Sequence, residues 1–324
     1  MINVRRTILS SALLSIILLY SCNDEKLKEA PNDIGDYAIV YNVLPDSEND
    51  NYEVFTMNTD GTNKKNFTNL KGVEWSYTSS GNKIYFYSDK DTTHRIYFLY
   101  ESDYRGNNIR KVSNIRLADS WMSFRKNGTE IIVDPHPSVD SVFYIIDLQG
   151  KIVQKIFTGL PYSHDPTFIN DGEQIAFRGA HKKSKREKGF RDEIYIINDD
   201  GTGLKQLTSY PESDSTAPWY AYKAGPPRQH PTEKFISYAS FQNGKYSLFG
   251  VTIDGKKHWK LTNNALMEIY HDWSPDGNWL VTDLADLEEK HFNIGLINWK
   301  TKELKILTDS SYQYQQSPNF VLKD

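Results

Sequence analysis

Three of the chain's 8 histidines occur at related points of a repeating sequence pattern. His164 and His271 are each followed by an aspartate, Asp165 and Asp272, whereas His230 is followed by a proline. Neutral imidazoles that converge from neighbouring structural units can bind a divalent metal ion. The same side chains could instead contact a ligand directly, or hydrogen-bond the backbone close to their own strands. The pattern leaves these three roles open.

A metal site would need a further ligand, and a glutamine near the end of the chain is a candidate. Gln316, or its neighbour Gln315, could join His164, His230 and His271 around an ion such as Mn²⁺ or Ca²⁺. The alignment of the three histidines is imperfect. His164 comes about two residues earlier in the pattern than His271, and His230 about three residues later. A structural role for the His-Asp pairs is therefore the commoner expectation.

The segment before His230 is the least regular part of the sequence. It carries Trp219, Tyr220, Tyr222 and Arg228 among several prolines, in place of an Asp-Gly turn. Rigid aromatic rings beside a guanidinium suit a sugar ring that bears a carboxylate or sulfate, through stacking and a bidentate ion pair. Alternatively, the segment is a proline-stiffened plug that packs its rings into the mouth of a channel.

The same residue types would permit β-elimination on a uronate-containing polysaccharide. This reaction needs a cation that neutralises the uronate carboxylate, together with a base and an acid. Arg228 could neutralise the carboxylate, while His230, Tyr220 or Tyr222 could exchange protons. The sequence contains neither G-x-S-x-G nor H-E-x-x-H, so a peptidase is not expected.

A basic stretch at positions 181–191 contains six Lys or Arg residues among its eleven. Such a stretch is usually solvated surface. In a chain of net charge −4 it could instead steer an anionic polymer, and Arg178 comes just before it as a further ligand-binding candidate. The overall charge argues against nucleic-acid binding, and we expect a monomer.

An internal repeat predicts the elements that position these residues. A hydrophobic residue followed by Thr or Ser returns six times, at Phe67-Thr68, Val112-Ser113, Phe157-Thr158, Leu207-Thr208, Leu261-Thr262 and Leu307-Thr308. The successive Thr or Ser positions lie 45, 45, 50, 54 and 46 residues apart. A period in the forties, with alternating apolar strands and Asp-Gly turns, is typical of an all-β propeller with four-stranded blades.

The two ends of the chain predict how the ring closes. Strands near 38–41, 53–57 and 65–67 lack an inner strand, and a strand at 317–322 has nothing after it. Together they would complete a sixth blade and remove the exposed edges. Strand alternation places short turns on one face and the long loops on the other. The candidate residues should therefore gather where the inner strands begin, at the loop end of the channel.

The N-terminus is predicted to be a targeting segment. Two arginines precede an apolar run at positions 8–19, and the run closes on Leu-Tyr-Ser before Cys22, the only cysteine. This arrangement resembles the lipobox of a bacterial lipoprotein, in which the peptide is cut before the cysteine and its thiol is acylated. We expect a signal peptide at 1–21, a lipid-anchored tether at 22–35 and a propeller at 36–324. The expected location is the outer membrane, on its periplasmic or surface side.

The repeat resembles the TolB-like propeller family over residues 37 to 322. The motifs that carry the resemblance are Ile194-Tyr195-Ile196-Ile197-Asn198-Asp199-Asp200-Gly201-Thr202, Leu207-Thr208 and Trp273-Ser274-Pro275-Asp276-Gly277. This resemblance implies a fold and says little about function, because such propellers serve many roles. In residue types alone, the chain is also similar to propeller polysaccharide lyases such as oligogalacturonate lyase, which use His and Gln ligands for a divalent metal.

The expected function is a lipid-anchored cell-envelope propeller that binds a carbohydrate or another envelope ligand on its loop-rich face. A lyase that cleaves a uronate-containing glycan is the first alternative. A protein-interaction scaffold in envelope biopolymer transport is the second.

Overall fold

The computed structural model describes residues 34–46, 48–183, 190–210 and 218–323. The strands of these residues form six four-stranded antiparallel sheets, which are the blades of a propeller. The only helix among the described residues is a 3-10 turn, Asn170–Gly172. The predicted all-β fold with six blades is therefore confirmed.

The blades are numbered here in chain order, except that the blade that joins both ends of the chain is blade 6. Blade 6 contains β1 (Tyr37–Leu44), β2 (Glu53–Asn58), β3 (Lys65–Asn66) and, as its inner strand, the last strand of the chain, Tyr314–Leu322. Blade 1 contains β4 (Glu74–Ser80), β5 (Lys83–Ser88), β6 (Phe98–Asp103) and β7 (Arg110–Lys111). Blade 2 contains β8 (Ser123–Arg125), β9 (Glu130–Val133), β10 (Phe143–Asp147) and β11 (Ile152–Ile156).

The remaining three blades follow the same order from inner to outer strand. Blade 3 contains β12 (Tyr162–Ile169), β13 (Gln174–Ala180), β14 (Glu193–Asn198) and β15 (Lys205–Gln206). Blade 4 contains β16 (Arg228–Gln229), β17 (Phe235–Gln242), β18 (Lys245–Thr252) and β19 (His258–Lys260). Blade 5 contains β20 (Met267–Trp273), β21 (Trp279–Ala285), β22 (Phe292–Asn298) and β23 (Leu304–Ile306). The last strand, Tyr314–Leu322, is β24.

Blade 6 closes the ring by pairing the two ends of the propeller. β24 lies antiparallel to β1, with Tyr37 opposite Leu322 and Leu44 opposite Tyr314. β1 gains β24 as a neighbour in addition to β2, so the closure pairs backbone groups of β1 that would otherwise form an open edge. The predicted pairing of N-terminal strands with the C-terminal strand is confirmed.

The apolar core lies between neighbouring blades because side chains alternate along each strand. In β1, Ile39 packs towards Val281 and Ile294 of blade 5, and all three are fully buried. The next residue, Val40, points the other way and packs with Ile84 of blade 1. Complete burial of one such side chain contributes about 1.5–3 kcal/mol.

The repeated Thr has a direct physical role after the outer strand in blades 6, 3 and 5, at Thr68, Thr208 and Thr308. The hydroxyl of Thr68 accepts a hydrogen bond from the Val54 amide at 3.0 Å and donates one to Glu53. Thr208 does the same with the Ile194 amide at 2.9 Å and the carboxylate of Glu193. A buried hydroxyl that joins two strands must keep its partners, which explains why the marker recurs.

The hydrophobic residue of this marker is misplaced in one blade. In blades other than blade 2 it is buried, as Leu207 is, but Phe157 is 67% exposed and Ile156 occupies the buried position instead. A register shift between β10 and β11 moves the outer strand of blade 2 along by one residue. The side chain of Phe157 is therefore exposed, unlike the corresponding residues of the other five blades.

The connections divide between the two faces of the propeller as the strand order predicts. The face with the short turns, such as 274–278, is called here the hairpin face. The face with the longer loops, such as 134–141, is called the loop face. At one hairpin turn Gly277 has a φ of +70°, a conformation that glycine adopts without strain.

The inner strands carry register shifts at the channel. The shifts enclose Tyr77 in β4, Asp165 in β12, Tyr270 in β20 and Ser317 in β24. The backbone of Asp165 lies in the left-handed region, at φ +55°, and that of Ser317 at φ +50°. An extra residue in a strand bends it and redirects one side chain. These shifts determine which residues point into the channel mouth.

Candidate functional site

A cavity of about 300 Å³ lies at the loop-face end of the channel. Three of the inner-strand residues enclosed by register shifts, Tyr77, Asp165 and Tyr270, form part of its wall, and the segment before β16 covers one side. Its charged and aromatic lining residues are Tyr77, Asp119, Trp121, His164, Asp165, Arg178, Trp219, Tyr220, Lys223, Tyr246 and Tyr270.

The base of this cavity is an ion pair between two neighbouring strands. Arg178 Nε lies 2.5 Å from Asp165 Oδ2, and Arg178 Nη1 lies 3.2 Å from the Asp192 carboxylate. Asp165 is 1% exposed, and its other oxygen accepts bonds from the Trp121 amide and the Ser120 hydroxyl. Burial alone would raise the pKa of Asp165, but the Arg178 guanidinium holds it below its usual range. The predicted ligand-binding residues Asp165 and Arg178 therefore lie in direct contact.

His164 lies beside this ion pair, opposite Arg178 in the β12–β13 register. Its Nδ1 is 2.5 Å from an oxygen of Asp134, and its Nε2 is 3.1 Å from the carbonyl oxygen of Asp119. Burial would lower the pKa of His164, but the carboxylates of Asp165 and Asp134 outweigh it and raise the pKa to about 9. At neutral pH His164 is therefore a cation with both ring nitrogens donating.

Aromatic rings form the walls of the cavity. The rings of Tyr77 and Trp121 have centroids 4.0 Å apart, and Trp121 is 4.7 Å from Tyr270 on the other side. At the rim, Trp219 is 41% exposed and packs edge-on against Tyr220 at 5.6 Å. This combination of flat apolar surface and a few polar groups is common in small-molecule sites.

Arg228 lies deeper in the channel than the cavity. Its guanidinium donates to the Tyr77 carbonyl at 3.3 Å and to the Thr167 hydroxyl at 3.2 Å, and only 8% of the residue is exposed. The guanidinium carbon is 5.7 Å from the centre of the Trp121 ring, and Nε is 3.7 Å from Asp272. Arg228 thus joins blades across the channel beneath the cavity.

His271 and Asp272 support the blades around Arg228. Nε2 of His271 lies 2.7 Å from the Ser237 hydroxyl, which also receives the Trp273 indole N–H and donates to the Arg228 carbonyl. Burial lowers the pKa of His271 to about 3, so the ring is neutral. Asp272 accepts a bond from the backbone amide of Phe320 in blade 6 at 3.2 Å. Neither residue lines the cavity.

His230 lies at the opposite end of the channel wall from His164. Its Nδ1 accepts a bond from the Glu233 amide at 3.0 Å, and its Nε2 lies 3.1 Å from the carbonyl oxygen of Gly277 in a hairpin-face turn. The ring packs 4.4 Å from that of Trp273. His230 is 1% exposed, so it is a satisfied core histidine. A role in proton exchange with a ligand is not supported by this position.

The metal site proposed from the sequence is not assembled. Gln316 accepts a bond from the Tyr52 hydroxyl at 3.1 Å, while His164, His230 and His271 each contact the different partners described above. Among the described residues, no three His, Cys, Asp or Glu side chains form a group that could hold a metal ion. The offsets along the strands separate the three histidines, because each residue adds about 3.3 Å to a strand.

Several lining residues have no counterpart among the sequence candidates. Tyr77, Asp119, Trp121, Tyr246 and Tyr270 all reach the cavity. An aromatic residue at or just before an inner strand was the available signal for three of them. The position of these aromatic residues in the repeat does not show whether their rings line a cavity or pack in the core between blades.

Two predicted features fall largely outside the described residues. The signal peptide and Cys22 precede residue 34, and positions 184–189 of the basic stretch are also not described. Tyr222 belongs to the segment before β16 but does not line the cavity. Its backbone amide donates to the carbonyl oxygen of Phe241. No helix in the described ranges is long and apolar enough to cross a membrane.

Solved structures with a similar fold support the six-bladed architecture. TolB from Acinetobacter baumannii has a TM-score of 0.66 at 15% identity, over 88% of this chain and 67% of that chain. A putative TolB from Agrobacterium tumefaciens has a TM-score of 0.59 at 15% identity, over 84% of this chain and 88% of that one. A chain of a nidogen/laminin complex has a TM-score of 0.59 at 10% identity, over 88% of this chain and 98% of that one.

At these identities the likeness concerns the fold alone. No family model matches the chain, and no curated protein sequence matches it. The class of the protein is therefore a six-bladed β-propeller with the architecture seen in TolB, and its function has to be argued from the cavity.

Proposed function

We propose that this protein is a cell-envelope binding protein, anchored by a lipid on Cys22, that takes a carbohydrate ring into the cavity on its loop face. The observation that carries the proposal is the presence of exposed Trp219 and the Arg178–Asp165 ion pair in one cavity of about 300 Å³. An aromatic ring suits the apolar face of a sugar, and fixed charged groups suit its hydroxyl and acidic substituents.

The point at which the chain joins the propeller lies away from the cavity. β1 begins at Tyr37, which lies opposite Leu322 at the hairpin-face end of β24. The cavity opens at the other end of the inner strands, on the loop face. The first strand of the propeller therefore begins at the end of the inner strands opposite to the cavity.

Catalysis by elimination is not proposed, because its sequence candidates do not meet at the cavity. Arg228 is occupied by carbonyl and hydroxyl oxygens beneath it, and His230 is buried near the hairpin face. Arg178 is the guanidinium that reaches the cavity, and its carboxylate partners already orient it. The two ion pairs of Arg178 hold its guanidinium in a fixed position, which favours ligand binding.

Calorimetric titration of the full chain with uronate-containing and sulfated oligosaccharides, beside neutral ones, tests the proposal. Trp219→Ala should weaken binding about tenfold to a hundredfold, since stacking and burial of one aromatic ring contribute about 1.5–3 kcal/mol. Phe157→Ala is the matched control, because Phe157 is an exposed ring on the outer edge of blade 2.

Two results would contradict the proposal. One is the absence of binding to every oligosaccharide tested. The other is an equal loss of affinity in the Trp219 and Phe157 variants. A steady rise in the absorbance of unsaturated uronate in the same mixtures would show elimination and would argue against a purely binding role.

A further inference from the structure

A row of aromatic rings continues from the loop-face cavity towards blade 6. Tyr77 lines the cavity, and its ring centroid lies 5.9 Å from that of Trp75, which in turn lies 4.5 Å from that of Tyr52. Neither Trp75 nor Tyr52 is among the residues that line the cavity. We propose that these two rings form a second sugar subsite, so that the ligand is an oligosaccharide chain rather than a single sugar ring. This inference rests on the carbohydrate ligand proposed above.

Both residues lie at the loop-face end of their blades. Tyr52 is the last residue of the loop between β1 and β2, and its carbonyl oxygen accepts the amide of Glu74, the first residue of β4, at 2.8 Å. Trp75 follows Glu74 in β4, the inner strand of blade 1. Tyr52 and Trp75 pack against the core of blades 1 and 2 and remain partly exposed. Partly exposed rings beside a cavity offer the flat apolar surface on which a sugar ring stacks.

The propeller repeat does not require an aromatic residue at the position of Trp75. Trp75 comes two residues before Tyr77, the residue that the register shift of β4 encloses. In the other three inner strands with a register shift, the residue two positions before the enclosed one is polar, namely Ser163, Glu268 and Gln315. The ring of Trp75 is therefore particular to blade 1, and the strand geometry that the blades share does not account for it.

Two polar atoms of this subsite lack hydrogen-bond partners among the described residues. They are Nε1 of Trp75 and Oδ1 of Asn51, the residue before Tyr52, and little of either atom is exposed. A buried polar atom without a partner is uncommon in a folded protein. Hydroxyl groups of a bound sugar, or water molecules that the sugar orders, would supply an acceptor for the indole and a donor for the amide oxygen. The two atoms therefore favour a ligand that is rich in hydroxyl groups.

Contacts between neighbouring loops hold the two rings in position. The Tyr52 hydroxyl donates to the side-chain oxygen of Gln316 at 3.1 Å, which ties its ring to blade 6. Asp50, two residues before Tyr52, accepts two bonds from the Arg95 guanidinium, at 3.0 and 2.8 Å. This pair joins the loop of blade 6 to a loop of blade 1. Rings that are already held in place bind a ligand without the cost of ordering a loop.

Calorimetric titration of the full chain with galacturonate and its oligomers up to the tetramer, and with glucose and its cello-oligomers of the same lengths, tests the second subsite. The tetramer of a sugar that binds should bind about tenfold more tightly than its monomer, the effect of one further stacked ring. Trp75→Ala should remove this gain and leave the affinity for the monomer unchanged, whereas Trp219→Ala should weaken the binding of both. Trp259→Ala is the matched control, since Trp259 is a partly exposed ring in the outer strand of blade 4.

Trp75→Leu and the titrations of the unaltered chain keep the test valid if Trp75→Ala does not fold, which circular dichroism would show. Leucine keeps an apolar side chain against the core and removes the ring on which a sugar stacks. Equal affinity for monomer and tetramer in the unaltered chain, or an equal loss for both in the Trp75 variants, would overturn the second subsite and leave the loop-face cavity as a binding site. Absence of binding to every sugar in the series would overturn the proposed function as well.

Discussion

Asp165→Asn is the substitution that isolates the charge at the base of the loop-face cavity. Asp165 is 1% exposed and adopts φ +55°, a conformation that Asn tolerates nearly as well as Asp. The amide has the same size as the carboxylate, and its oxygen can still accept the bonds from the Trp121 amide and the Ser120 hydroxyl. The change therefore removes a negative charge and leaves the backbone in place.

The expected cost is about 3 kcal/mol in the free energy of unfolding. Loss of one partner from a buried ion pair costs about 3–5 kcal/mol. The lower end applies here, because the Arg178 side chain is 20% exposed and keeps Asp192 at 3.2 Å. The same substitution should lower the pKa of His164 towards its ordinary value, since Asp165 is the first of the carboxylates that raise it.

Urea denaturation at pH 7 measures the first effect, and an NMR titration of the His164 ring measures the second. Asp171→Asn is the matched control, because Asp171 also has positive φ (56°) but is exposed. It should change stability by less than about 0.5 kcal/mol. A loss below about 1 kcal/mol for Asp165→Asn, or an unchanged pKa of His164, would refute the account of this ion pair.

Three further predictions concern pH, a turn and the repeated Thr. The raised pKa of His164, about 9, should stabilise the fold by about 3 kcal/mol below pH 6.5, and this contribution should disappear as pH rises through 9. This pH dependence of stability should be absent in His164→Gln. If urea titrations of that variant still show it, His164 is not its source. Gly277→Ala should lower the free energy of unfolding by about 2 kcal/mol, because φ is +70° and the added Cβ would lie 2.6 Å from the His230 ring. An unchanged midpoint of urea denaturation would disprove this prediction. Thr208→Val should lower the free energy of unfolding by about 1–3 kcal/mol, because the Ile194 amide loses its side-chain acceptor. An unchanged stability would show that Thr208 contributes through packing rather than through this hydrogen bond.

The architecture could be predicted from the sequence because it depends on local rules that repeat. A hydrophobic residue followed by Thr or Ser recurs at nearly constant spacing, and three copies, Thr68, Thr208 and Thr308, make the same hydroxyl-to-amide bond. Turns such as that at Gly277 require a conformation that few residues adopt. Missing strands at one end of the chain and a surplus strand at the other predicted the closure of blade 6, which Tyr37 and Leu322 complete.

The site could be predicted only in part, because it depends on small offsets along the inner strands. His164 and Asp165 were predicted as ligand-binding residues from the sequence. Both line the cavity, where a register shift in β12 places them. His230 was assigned to the same mouth, but a few residues along a strand carry a side chain about 10 Å and change the face that it meets. The environment of His230 is therefore a tryptophan-rich core rather than a cavity.

The sequence by itself determined the blade number, the turns and the types of residue available at the channel. Only the tertiary structure decided which guanidinium lines the cavity. Arg228 reaches a carbonyl 151 positions away at Tyr77, a contact that no local pattern contains, and this contact uses its guanidinium inside the channel. Arg178 lies on the second strand of its blade and is left at the cavity, because Asp165 on the adjacent strand holds it there. Each guanidinium takes the position in which its buried donors find acceptors, a carbonyl for Arg228 and a carboxylate for Arg178.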